Sequence, residues 1–200
     1  MSSLFLIVAF VLAGVAQTIW LRGGWLKSWA RPIDGGRMWR GKRIFGNNKT
    51  WRGLVVMIPA VAAAFGLLRS FAGAEQATGD AASGSITGGG SWLAPWSFGV
   101  GGYVALGAWA GVGYMLGELP NSFVKRRLGV EAGQPPTSSL GRTIAFIADQ
   151  TDSVIGALLA LSVFVSLSWQ TWVVLLSLGP VVHWLFNVIL LLVGVKKRAA

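Results

Sequence analysis

Cysteine is absent from the chain, and histidine occurs once, at His183. The first absence excludes disulfides and thiolate metal sites, and the second excludes a histidine cluster. Charge is also scarce. Only 12% of the 200 residues are charged, about half of what a soluble domain carries. Acids are scarcer than bases, seven against seventeen, so a carboxylate inside an apolar stretch demands an explanation. What the chain has in abundance is apolar surface: 54% of its residues are hydrophobic and its mean hydropathy is +0.61.

Nearly uncharged runs of roughly 18 residues or more recur, and each is long enough to cross a ~30 Å hydrocarbon core. Five spans are predicted, at about 3–21, 53–72, 98–118, 144–166 and 171–193. The expected fold is an all-α integral membrane protein, one polytopic domain over residues 1–200. It is a bundle of about five transmembrane helices with two basic cytoplasmic loops, 22–52 and 119–143. The first span lacks a basic segment before it and is long enough to cross, so it reads as a retained helix and not a signal peptide.

The charge is concentrated. Residues 22–52 hold nine Lys/Arg against Asp34 alone, residues 119–145 hold four against Glu131, and Lys196, Lys197 and Arg198 lie near the end. Residues 73–97 hold no base and only Glu75 and Asp80 as acids. The positive-inside rule then places the N-terminus outside and both basic loops and the C-terminus in the cytoplasm of an inner (cytoplasmic) membrane. Arg69 is the exception and is expected to snorkel to the outer interface. The Gly/Ser-rich 73–97 segment reads as a flexible outer connector. Trp92, Trp96, Trp169 and Trp172 are expected to anchor at the outer headgroups; Trp20, Trp25, Trp29, Trp39 and Trp51 flank the inner side. Glycines crowd the third span (Gly107, Gly111, Gly113 and Gly117 among them), which predicts close helix packing and puts that helix at the middle of the assembly. His183 and Asn187, four apart on the last span, read as an interhelical hydrogen-bonding pair.

Two segments carry chemistry. If the third helix continues past Pro120, then Glu118, Ser122, Lys125 and Arg126 share a face; Pro120 can equally kink or restart it. Beyond the loop, Asp149 and Asp152 sit three apart in an otherwise apolar helix beside Gln150 and Ser153. Intramembrane acids are costly unless paired or metal-bound. Either Mg²⁺ sits between them, or Lys125, Arg126 or Arg142 neutralises them. The kit of carboxylates, hydroxyl and cations suits a metal–phosphate complex, with Glu118, Asp149 and Asp152 on the metal and Lys125, Arg126, Arg127 and Ser122 on phosphate oxygens. In the first loop, Lys42, Arg43, Lys49, Thr50 and Arg52 alternate with Gly and Asn, a pattern suited to wrapping phosphates. Gly does not directly precede Lys49, so this is no Walker A loop. Asp34 is either a structural salt-bridge partner or a site residue.

These same residues carry a resemblance. Asp34-Gly35-Gly36, Arg40-Gly41-Lys42-Arg43-Ile44-Phe45-Gly46 and Lys49-Thr50-Trp51-Arg52-Gly53 resemble the first cytoplasmic loop of the CDP-archaeol synthase family. Gly117-Glu118, Ser122-Phe123, Lys125-Arg126-Arg127, Gly129 and Asp149-Gln150-Thr151-Asp152 resemble its second loop and following helix. Glu118 stands where the resemblance leads one to expect Asp, and a bacterial member is expected. The family is related to the phosphatidate cytidylyltransferases. The resemblance implies a CTP-dependent nucleotidyltransferase that moves CMP from CTP to a lipid phosphate with Mg²⁺, in contact with membrane lipids and without nucleic acid. The competing expectation is a non-catalytic protein that binds or transports anionic phospholipid.

Overall fold

The structure is a computed structural model that describes residues 2–83 and 92–192, without the side chains of residues 74–83, His183, Asn187 and Leu190. The expected His183–Asn187 pair and the basic tail at Lys196, Lys197 and Arg198 lie outside what is described. Among the described residues five helices are long and apolar enough to cross a membrane. They are α1 (Ser2–Arg22), α2 (Trp51–Ser83), α3 (Val100–Arg127), α4 (Ser139–Ser162) and α5 (Trp169–Leu192). Two differ materially from the predicted spans. Helix α2 runs on to Ser83, eleven residues into the 73–97 segment expected to be a loop. Helix α3 passes through Pro120 and ends only at Arg127, so residues 119–127 are helical and not loop. It stops at a Schellman turn: Gly129, at φ 80°, donates to Arg126 O at 3.2 Å and Val130 to Lys125 O at 3.0 Å.

Each helix packs on the next in sequence, and α5 returns to α1, so the backbones close into a ring. Glycines set the tightest contacts. A Cβ at Gly107 would lie 2.8 Å from Val61 O of α2, and one at Gly117 would lie 2.9 Å from Gly156 Cα of α4. The close packing of α3 is therefore real, but its expected central position is not. Its glycines lie on two faces, one for α2 and one for α4, which makes α3 a member of the ring.

The ring is filled differently at its two ends. At the end that holds the N-terminus of α1, Phe5 meets Phe65, Trp96 and Tyr103 edge-on at 4.9, 5.5 and 5.5 Å, the arrangement aromatic quadrupoles prefer. The Tyr103 hydroxyl donates to Trp96 O at 2.9 Å and accepts from Trp96 N at 2.8 Å. Trp96 is partly buried, with its ring packed against this cluster and its backbone tied to Tyr103. Arg69 donates to Phe98 O at 3.0 Å beside the N-terminal end of α3.

The first basic loop is ordered by a buried carboxylate. Asp34 accepts from the Arg43 guanidinium at 2.5 and 3.3 Å and from the amides of Gly36, Phe45 and Gly46 at 3.0–3.1 Å. Gly36 and Gly46 have φ of 85° and 89°, which lets their N–H groups turn toward it. Burial alone would raise the Asp34 carboxyl; Arg43 and the three amides outweigh burial and hold it well below the usual carboxylate range. Asp34 is accordingly structural. Within the loop, β1 (Met38–Trp39) and β2 (Lys42–Arg43) form a two-residue antiparallel hairpin. Positive φ at Arg40 and Gly41 gives it the primed turn that hairpins favour.

Candidate active site

The opposite end of the ring, on the side of the two basic loops, holds a cavity of about 1130 Å³ lined by all five helices and both loops. At this size it can take a ligand larger than a single phosphate. Because α3 is continuous through Pro120, Tyr114, Glu118, Ser122 and Lys125 fall on one face and all line the cavity. Asp149 and Asp152 face them from α4.

These acids form a connected row. The Asn121 amide donates to Asp149 Oδ1 at 2.6 Å and to Asp152 Oδ2 at 2.9 Å. The fully buried Ser153 hydroxyl lies 2.9 Å from Glu118 Oε1 and 3.1 Å from Asp152 Oδ1. A lysine closes each end: Lys49 pairs with Glu118, and Lys125 with both oxygens of Asp149. Asp152, in the middle, has no ion pair among the described residues. Burial disfavours the Lys49 ammonium, but Glu118, with Asp152 and Asp149 behind it, outweighs burial and raises its pKa.

The donor set fits a hard divalent cation, since every candidate ligand is a carboxylate, amide or hydroxyl oxygen. Among the described residues no three acids converge tightly enough to form a metal site by themselves. That suits Mg²⁺, which is typically held by one or two carboxylates together with substrate phosphates.

The structure sorts the cations expected at the site into two groups. Lys49, Lys125 and Arg126 line the cavity, with Thr50 and Ser122 beside them. Arg126 donates to Val130 O, while its buried Nε has no partner. The other four turn elsewhere. Arg43 is committed to Asp34. Arg52 donates to Trp20 O and Leu21 O at 3.3 and 3.1 Å, capping the end of α1. Arg127 donates to Trp39 O, to Lys42 O at 3.0 Å and to Arg43 O at 2.6 Å, and its guanidinium lies over Trp39 and Phe123. Lys42 returns the contact, donating to Arg127 O at 3.0 Å.

Of three further lining residues, Tyr114 was not expected, whereas Gln150 and Arg142 were expected near the acids. Tyr114 stacks on Phe10 at 5.4 Å and hydrogen-bonds Ser153. Its spacing of four before Glu118 was the available signal. Gln150 is buried in the cavity wall with Oε1 unpartnered. Arg142 lines the same cavity and forms no ion pair among the described residues.

A membrane-spanning helical ring around a cavity with a carboxylate row and clustered cations defines an integral membrane protein with a charged pocket inside its bundle. The family model described as CarS-like: CDP-archaeol synthase matches residues 2–199. The chain is 34% identical to the CDP-archaeol synthase of Halorubrum lacusprofundi over 84% of its own length and 83% of that protein. It is 32% identical to that of Thermococcus onnurineus over 77% and 74%. A solved intramembrane enzyme of archaeal membrane-lipid biosynthesis covers 90% of this chain and 94% of its own, with a TM-score of 0.54. At 22% identity it speaks for the fold alone. The chain belongs to the CDP-archaeol synthase family. The relatives named here are archaeal and lend no support to the expected bacterial source.

Proposed function

We propose that this membrane cytidylyltransferase, which forms a CDP-activated lipid, carries out the transfer in the carboxylate-floored cavity with the site open to the cytoplasm. A lipid phosphate oxygen attacks the α-phosphorus of CTP; that P–O bond forms as the bond to the bridging oxygen of pyrophosphate breaks. Such transfers depend on positioning and charge neutralisation more than on covalent help. Lys49, Lys125 and Arg126 bind phosphate oxygens, with Arg142 within reach of the same cavity. Ser122, nearly buried beside them, offers a hydroxyl donor. Asp152, with Glu118 or Asp149, holds Mg²⁺. When bound, Mg²⁺ neutralises charge on the reacting and leaving phosphates. Asn121 and Ser153 fix the carboxylates in place.

The observation that carries this reading is the meeting of three carboxylates and two lysines, in a cavity whose walls continue as apolar faces of α1 and α5 (Leu6 and Phe10; Leu175 and Val182). A charged ligand and a lipid can meet there. The basic loops on one side of the membrane support a cytoplasmic mouth and an outside N-terminus. A mere anionic-lipid binder gains nothing from an acidic row, and that alternative is set aside. The acceptor to test first is an ether-linked isoprenoid glycerol phosphate, after the family's name, beside ester-linked phosphatidate.

The test is incubation of purified protein with labelled CTP, Mg²⁺ and each lipid phosphate. The expected products are a CDP-lipid and an equal amount of pyrophosphate, abolished by chelation and by Asp152→Asn. Undiminished product from well-folded Asp152→Asn protein would overturn the assignment of the site.

A further inference from the structure

The lysines at the two ends of the acidic row have a role beyond holding phosphate, given the reading of the cavity as the nucleotide site. Lys49 comes from the loop before α2, and Lys125 from α3. Their ammonium groups sit on Glu118 and Asp149, while Asp152 between them is held, among the described residues, by the neutral donors Asn121 and Ser153. Three carboxylates against two ammoniums leave one formal negative charge on the row. A dication placed beside Asp152 would face two ammoniums on the carboxylates it needs, and like charges a few ångströms apart repel strongly away from bulk water.

A triphosphate reverses this balance, because it offers each ammonium a more highly charged partner. Lysine suits the exchange: its charge is compact and its four-carbon stem swings from carboxylate to phosphate without backbone movement. We propose that Lys49 and Lys125 are internal counter-cations that keep the carboxylates closed to a free divalent ion until a nucleoside triphosphate draws their ammonium groups away. Metal and nucleotide then bind as a coupled pair, and the coupling is reciprocal by thermodynamic linkage.

Titration of the purified full-length protein with Mn²⁺, in place of Mg²⁺, reads this directly by electron paramagnetic resonance, with and without CTP and without lipid acceptor. The wild-type protein binds Mn²⁺ weakly alone and roughly 5- to 150-fold more tightly with saturating CTP. Lys49→Gln and Lys125→Gln keep a hydrogen bond to each carboxylate but lose the charge. Each binds Mn²⁺ alone about tenfold more tightly than wild type, and the enhancement by CTP shrinks. Lys49→Met and Lys125→Met, which keep the stem, behave alike. A merely structural lysine predicts weaker Mn²⁺ binding on removal. Variants that bind Mn²⁺ alone no more tightly than wild type overturn the proposal, and the functional reading survives if wild type still makes CDP-lipid. A wild-type protein that neither binds CTP nor transfers CMP overturns both.

Discussion

The hairpin cap and the cavity floor lie only a few residues apart in sequence and use the same side chains to opposite ends. In the cap, Lys42, Arg43, Arg52 and Arg127 spend their donors on protein oxygens: Asp34, the end of α1, and the carbonyls of residues 39, 42, 43 and 127. On the floor, Lys49 and Lys125 are held by acids that themselves line the cavity, and Arg126, which donates to Val130 O, lines it too. Cations bonded to carbonyls have little left to offer a ligand, and exchanging them would break the loop. Cations bonded to cavity acids can exchange one anion for another. Proximity to a basic motif therefore says less about phosphate binding than the acceptor each cation already holds.

Substitutions on the two sides separate these roles. Lys125→Met removes a floor cation and is expected to lower CDP-lipid formation about 100-fold or more, with the thermal midpoint little changed. Asp34→Asn acts on the cap. It leaves Arg43 without its anion and is expected to cost about 3 kcal/mol of stability, seen as a lower melting midpoint in detergent at neutral pH. Because the folded Asp34 carboxyl is depressed, the stability it supplies is complete above the usual unfolded value of about 4 and fades as pH falls toward the folded value. The gap between wild type and Asp34→Asn should therefore narrow below about pH 4. Arg127→Met loses bonds to three carbonyls and two aromatic faces, with an expected cost of about 2 kcal/mol and a rise in KM for CTP larger than any fall in kcat. Arg52→Met, which uncaps α1, should cost about 1 kcal/mol and leave turnover within a few-fold of wild type.

Much of this was legible in the sequence because membranes impose simple rules. Five apolar runs gave five helices, and the spacing of three between Asp149 and Asp152 put both on the face toward α3. The glycines at 107, 111, 113 and 117 announced close packing, but not which neighbour each would meet. Pro120 was ambiguous because a proline costs a helix one hydrogen bond, and only tertiary packing decides whether the helix survives it. The hairpin escaped notice because the first of its two positive-φ turn positions is Arg40 and not the usual Asn, Asp or Gly, while Gly41 takes the second. Partner choice was the least legible. Lys42 and Lys49 look alike in the chain, and only the fold sets one against Arg127 and the other against Glu118.

The most direct measurement is therefore CDP-lipid formation by Lys49→Met and Lys42→Met, assayed side by side with CTP, Mg²⁺ and a lipid phosphate. The floor-and-cap account predicts a loss of about 100-fold or more for Lys49→Met and no more than about fivefold for Lys42→Met, whose partner is a single exposed carbonyl. Equal losses in the two variants, or a larger loss at Lys42, would contradict it.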